Sequence, residues 1–544
     1  MSSAPSIPGK RGYLPQACET GGDFWGLLTQ VSAPGCLLVM MASLGALLVL
    51  SAYFVAQGIL SRTRRCEKDP KERRPQAVPV YTCGVPLFGP ALRFLFAPDK
   101  VLRDANSKHK SAFALLLPFK SRLIFITGPQ ATRWFFNAAG AHGSTSRDHD
   151  LDLADAIADL IPPYMFGTKV MDHAPYSKYV AHGLGMHARL RAYVAALGGH
   201  VDRRLASWAQ ADVIDLFRES SRLVMSLMIR LVFGEDVEAR FPELGDLYFD
   251  FDTLATNPAV MLVPWCVSPL GRRFQHARDQ IEAIITTVVT ERLAERNGKE
   301  RKAERMDVLQ YLIEARAEQR DPEPLVKVLM IVLFAGHANT VGNLSWTIAN
   351  VVANDDLKRE VCAEVRSPGH PFNRTAAAGG DLVAAGLSTA ENRNELSLLE
   401  KCMREVNRFY STLYLVRKVR KACCIEGHSL PKGAIVAVSP LLTHFDEATF
   451  EAPNTFNPHR FTKSKLETLI ADGTYIAFGR GRHQCPGKRL VHTVLHLIWA
   501  TLFREYDVKM ENETVPGPNY VGAIGAPTPS QVIRLVVRKR SESH

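Results

Sequence analysis

FGRGRHQCPG, residues 478–487, sets a single cysteine among three glycines, two arginines and a histidine. A packed core has no use for that mixture. Behind it, PGKRLVHTVLHLIWATLF reads as a helix over 486–503. Pro suits a first helical turn, so this spacing predicts Cys485 at the N-cap. A sulfur there meets the positive helix end and free backbone N–H groups, both of which favour thiolate over thiol. Arg480, Arg482, Lys488 and Arg489 add positive charge. Gly479, Gly481 and Gly487 are expected to take positive φ and let the backbone approach a flat group closely, with Phe478 packing on its face. One thiolate, backbone donors and a flat apolar contact describe a haem iron ligand. The bland alternative is a glycine turn before a helix with an inert cysteine.

Taken together, Phe-x-x-Gly-x-x-x-Cys-x-Gly at Phe478, Gly481, Cys485 and Gly487 resembles the haem-binding loop of the cytochrome P450 superfamily. The resemblance implies haem b with Cys485 as axial thiolate. In CMREVNRFY, Glu405 and Arg408 stand three apart, on one helix face. Glu219 and Arg222 in LFRESSRL have the same spacing, so the spacing alone decides nothing. The later pair is followed by Phe456-Asn-Pro-His-Arg-Phe461, which resembles the family's Pro-x-Arg-Phe segment. The resemblance then implies a buried network of Glu405, Arg408 and Arg460 that serves folding and haem loading. It also implies propionate contacts from His483 and from Arg417 in LVRKV. The family's Trp-x-x-x-Arg is absent, and Lys178 or His182 in YSKYVAHGL is expected to replace it.

PLVKVLMIVLFAGHANTVGNLSWTIANVVAN, residues 324–354, is apolar nearly all round. Lys327 and the polar cluster 337–343 argue for a long central helix buried in protein, not a membrane span. In the family this helix carries an acid–alcohol pair over the iron. Here Ala338 and Asn339 hold those places, and a register one residue on would use Thr340. Ala-Asn-Thr resembles sterol 7α- and 12α-hydroxylases and prostacyclin synthase. The cysteine loop, LVRKV and YMFGTKV resemble sterol 14α-demethylases. Asn339 and Thr340 are therefore the expected distal residues.

Elsewhere, LIFITG (123–128) reads as a strand, and segments 186–209, 215–233, 274–297 and 304–319 as amphipathic helices. After residue 412, LVRKV and AIVAVS alternate with turns such as Leu430-Pro-Lys-Gly433. Residues 366–395 read as a surface loop. The expected fold is mainly α with a minor β part, the cytochrome P450 fold, preceded by one N-terminal transmembrane helix.

The uncharged run 36–56 spans about 31 Å as a helix, enough for the hydrocarbon core. Seven basic residues follow it within 62–74. The positive-inside rule puts 1–35 in the lumen and the bulk of the chain in the cytosol. A basic, Pro-rich linker (57–90) then leads to the catalytic domain, 91–544. A secretory signal is the rival reading, but its apolar core would lie nearer the start.

The ten cysteines show no CxxC pair, which argues against a disulfide scaffold and against zinc. A cytosolic body also leaves the Asn373 and Asn512 sequons unglycosylated. Net charge is +11 without a base-reading motif, so nucleic acid ranks last among partners. The combined expectation is an endoplasmic-reticulum haem-thiolate monooxygenase. It would oxidise a bulky apolar substrate with electrons from NADPH through NADPH-cytochrome P450 reductase. Two alternatives stay open: an oxygen-independent isomerase or dehydratase on the same fold, and a non-catalytic membrane haem-binding protein.

Overall fold

The computed structural model describes residues 76–541 apart from 84–87, 117–121, 138–150, 161–162, 167–176, 186, 256, 263–267, 298–304, 317, 319, 369, 371–394 and 524. The expected anchor at 36–56, its linker up to residue 75 and most of the 366–395 loop lie outside the described residues.

Eight helices carry the site: α1 Pro129–Asn137, α2 His187–Gln210, α3 Leu216–Phe233, α4 Leu244–Ala255, α5 Pro269–Asn297, α6 Glu323–Val352, α7 Leu398–Phe409 and α8 Lys488–Glu505. Local chemistry sets several of their ends. The Asp215 carboxylate accepts from Arg218 N at 3.2 Å to start α3, which stops at Gly234 with φ +98°. The Ser397 hydroxyl accepts from Glu400 N at 3.2 Å to start α7. The expected helix over 304–319 is shorter in the structure, Val308–Ala315, because Asp307 caps it and Arg316 closes its last turn.

α6 is the centre of the molecule. Its second half is buried without a break from Thr340 to Val352, so an all-round apolar sequence is satisfied by protein and not by lipid. α3, α5, α7 and α8 all pack on it, and α2 packs on α8. The Trp499 indole N–H on α8 donates to the Leu344 carbonyl at 3.3 Å.

The minor β part is a mixed five-stranded sheet: β1 Ala112–Leu115, β2 Leu123–Ile126, β3 Leu151–Asp152, β4 Leu415–Val419 and β5 Ile435–Val438. The order is β1-β2-β5-β4-β3, with β2 and β5 parallel and the other pairs antiparallel. Arg417 faces Val436 across β4 and β5. A second small sheet joins Tyr506–Met510, entered directly from α8, to Arg534–Lys539 and Ile214–Asp215.

Candidate active site

The 478–487 loop closes on itself. Cys485 N donates to Phe478 O at 2.8 Å, and a single 3-10 turn, Gly481–His483, carries the chain between them. Gly479 and Gly481 hold φ of +64° and +68°, a region that side-chain-bearing residues avoid. Gly487 differs from the expectation: its φ is −82°. Its lack of a side chain serves space, since a Cβ there meets no protein atom within 4 Å.

α8 begins at Lys488 with Gly487 as N-cap, so Cys485 lies two residues before the N-cap position that the sequence suggested for it. The residues 486–487 form a turn first, and Lys488 N reaches back to Cys485 O at 3.4 Å. The N–H groups of Gly487 and Lys488 still aim at the sulfur and, with the Lys488 ammonium, favour the thiolate. Desolvation by the surrounding chain acts the other way and is larger, raising the Cys485 thiol above its ordinary range although the residue itself is exposed. A bound metal cation would deprotonate a coordinating thiol outright.

Phe478 lies half-buried with its ring 5.4 Å from His492 on α8, and His483 is half-buried in the 3-10 turn. The loop leans on α1: a Cβ on Gly481 would stand 3.5 Å from Phe136 O, and one on Gly479 3.9 Å from the Phe136 ring. Arg417 reaches the same helix from the sheet, its guanidinium 5.1 Å from the Phe135 ring centroid. That arginine is 4% exposed, its Nη1 donates to Val416 O at 2.7 Å, and its Nε is buried with no partner. Burial pushes its pKa down to about 10. A buried guanidinium with an orphaned donor, beside a cysteine loop that keeps a cradle open at Gly487, fits a flat cofactor with acidic edges.

Behind the loop, Glu405 and Arg408 form a two-pronged ion pair at 2.8 Å on each prong, both side chains fully buried. Arg460 Nε donates to Glu405 at 3.1 Å and Asn457 N at 2.8 Å. Arg408 also donates to the carbonyls of His444, Pro453 and Thr455. Every donor and acceptor of the pair is used.

On α6, Ala335 and Asn339 are exposed one turn apart, flanked by buried His337 and Thr340. The Thr340 hydroxyl bonds the Gly336 carbonyl at 2.5 Å, within its own helix. Asn339 does not bond the previous turn; its Oδ1 accepts from Ala526 N at 3.0 Å. Phe334, just before this stripe, meets Phe166 at 5.3 Å and Phe251 at 6.0 Å between ring centroids. Of the YMFGTKV segment, residues 164–166 are described, with Met165 and Phe166 buried.

The Lys178 side chain lies outside the described residues, and the His182 Nδ1 is engaged with the Tyr311 hydroxyl at 2.5 Å. In the basic cluster, Arg480 is spent on the carbonyls of Ile470 and Ala471 at 2.9 and 2.7 Å, at the end of the helix Lys463–Ala471. The Arg482 side chain is not among those described, while Arg489 is exposed.

Sequence reasoning missed two polar links. His337 Nδ1 and Nε2 pair with Asp252 on α4 and Ser221 on α3, each at 3.0 Å. Asn343 and Asn407 exchange amide bonds of 3.2 and 2.8 Å between α6 and α7. Only the four-residue step from Asn339 to Asn343 hinted at the second.

A long buried central helix and a closed cysteine loop leaning on α1 and α8 fit a haem-thiolate protein. The comparisons agree. The family model for cytochrome P450 matches residues 84–535. A cytochrome P450 monooxygenase, pyvB, of Aspergillus violaceofuscus is 25% identical over 455 residues, 82% of this chain and 86% of that protein. The lanosterol 14-alpha demethylase of Mus musculus is 25% identical over 470 residues, 84% and 87% of the two chains. The solved structure of a cyanobacterial P450 with bound retinoic acid superposes with a TM-score of 0.66 at 19% identity, covering 86% of this chain and all of that one. The chain belongs to the cytochrome P450 family, as a monooxygenase-type member with haem as its cofactor.

Proposed function

We propose a monooxygenase that acts on a bulky apolar substrate, a sterol, terpenoid or other polycyclic secondary metabolite. Electrons come from an NADPH-dependent reductase. The single observation that carries the reading is the closed 478–487 loop, with two N–H groups aimed at the Cys485 sulfur. Haem, when bound, supplies the activation of dioxygen. Cys485 is its ligand, and Phe478, Gly481 and Gly487 shape the surface it rests on. Arg417 and His483 take its carboxylates, with Lys178 as a further candidate. Glu405, Arg408 and Arg460 hold the proximal side rigid. Asn339 is the polar group of the distal stripe, and Thr340 supports its helix through Gly336.

The substrate class rests on two supports. The relatives include demethylases of lanosterol and other sterols, by their names. Phe334, partly buried beside exposed Ala335 and backed by the buried Phe166 and Phe251 rings, gives that stretch of α6 an apolar wall. Residues 36–56 are proposed as a single-pass anchor in the endoplasmic reticulum, with 1–35 lumenal, 57–90 as linker and 91–544 in the cytosol.

The test is direct. Reduced protein with carbon monoxide should show the red-shifted Soret band of a thiolate haem, and Cys485→Ala should abolish it. Retention of that band in the variant sinks the assignment. With reductase present, candidate substrates should raise NADPH oxidation. Ala338 and Asn339 in place of an acid–alcohol pair favour a second reading, an isomerase or dehydratase, which turns over without NADPH. A haem protein without turnover gives neither signal.

A further inference from the structure

The segment Gly525–Pro527 lies along α6 and touches it at three successive turns. Ala526 N donates to Asn339 Oδ1 at 3.0 Å. A Cβ on Gly342 would stand 2.4 Å from Ala526 Cβ, so only glycine admits the loop there. The Trp346 indole N–H donates to Pro527 O at 2.9 Å. Gly525 completes the set: a Cβ on it would stand 2.8 Å from Asn339 Oδ1 and 3.1 Å from its Cγ. An ordinary residue at 525 would push the Asn339 amide out of place, because a terminal amide yields more easily than backbone.

An amide side chain has one acceptor and one two-proton donor, and which end faces which way follows from its partners. A backbone N–H points at this amide from the loop, so the oxygen must face the loop. The Nδ2 end, 3.2 Å from where a Cβ on Gly525 would stand, is then the donor left over, and no described residue accepts from it. We propose that the 525–527 loop is a positioning element that fixes the polarity of Asn339, so that the amide offers only its N–H donor to a ligand bound on the distal side. Gly525 and Ala526 act through Asn339 and touch no reacting atom. The inference rests on the haem-thiolate reading and deepens it.

The C–O stretch of the reduced carbon monoxide complex tests this without turnover. A hydrogen-bond donor near the bound ligand's oxygen lowers that frequency, and losing the donor raises it. Asn339→Ala should raise the stretch, and Gly525→Ala should raise it in the same direction. The double variant should match Asn339→Ala alone, because residues that act through one another are not additive. Should Gly525→Ala by itself fail to hold haem, adding Asn339→Ala removes the colliding atoms and should restore loading. An unchanged stretch in either single variant overturns the proposal. So does a double variant whose shift is the sum of two, or one that still fails to load. Throughout, the thiolate Soret band of the wild type reports separately on the family reading: its absence there is a failure of that reading, and its presence with an unmoved stretch is a failure of this one.

Discussion

α3 and α7 each carry Glu-x-x-Arg, and each pair closes with almost the same geometry: 2.7 Å between Arg222 and Glu219, 2.8 Å between Arg408 and Glu405. Their surroundings differ entirely. The first pair is 41% and 23% exposed; the second is 0% and 0%. Around the buried pair the chain brings Arg460 and the Asn457 N–H to Glu405, and carbonyls from His444 to Thr455 to Arg408. No partner beyond Arg222 is seen on Glu219 among the described residues. Helical spacing makes an ion pair; the residues that fold over it decide what the pair is worth.

The largest expected effect comes from breaking the buried pair. Glu405→Ala should cost about 3–5 kcal/mol, since it leaves two buried guanidinium groups short of their anion. Glu219→Ala should stay within about 1 kcal/mol, as exposed pairs do. Urea unfolding of both variants, with haem content measured alongside, decides it. Equal losses would end the distinction, and normal haem content with slowed turnover in Glu405→Ala would move that residue into the chemistry.

Arg417 sharpens the same comparison from the other side. It is buried like Arg408 but lacks a carboxylate, and its Nε has no partner. Arg417→Met should therefore leave the haem-free protein as stable or more so. It should weaken haem retention by roughly 1.5–3 kcal/mol, the worth of a hydrogen bond to a charged group. Haem transfer to an acceptor protein measures the second quantity. A destabilised haem-free variant with unchanged retention would make Arg417 a purely structural residue.

A smaller effect belongs to His444, which ties the Arg408 network to the irregular segment leading to the loop. Its carbonyl accepts from Arg408 and its Nε2 accepts from Ile476 N at 3.0 Å. Burial, reinforced by the nearby Arg408 charge, lowers its pKa to about 3. The unfolded value is about 6.5. A lowered histidine pKa means the unfolded chain binds the proton first, so the stability is present above about pH 6.5. It is lost as pH falls from there toward about 3. The unfolding midpoint of the wild type should fall from pH 7 to pH 5 more steeply than that of His444→Asn. Parallel slopes would show that other groups carry the acid sensitivity.

Smallest is the effect of surface charge. Arg489, exposed at the start of α8, is a candidate for steering an acidic reductase. Arg489→Ser should raise the KM for reductase a few-fold at low salt and less at high salt, with substrate binding unmoved. A salt-independent KM in both proteins removes the docking role.

What the sequence disclosed follows the same division. The cysteine loop was legible because its constraints are local: glycines at positive φ, a turn, a helix start. Its exact phase was not, since a two-residue turn between Cys485 and α8 leaves no mark beyond Pro486-Gly487. α6 was legible through Lys327 and the polar cluster. The two Glu-x-x-Arg pairs could not be told apart by spacing, and the partners of Arg408 come from 36 to 47 residues further on. The engagement of Asn339 with Ala526 spans 187 residues, and no periodicity records such a contact.

The Asn343–Asn407 bracket has a consequence for sequence drift. Each amide gives one hydrogen bond to the other and takes one in return, so the two positions share a single fit in length and polarity. A change at either one leaves a donor or acceptor stranded between α6 and α7, and only a matching change at the other restores it. The two sites are therefore free to vary together and constrained when they vary alone. Libraries that randomise both at once will recover active clones that one-at-a-time scanning would never reach.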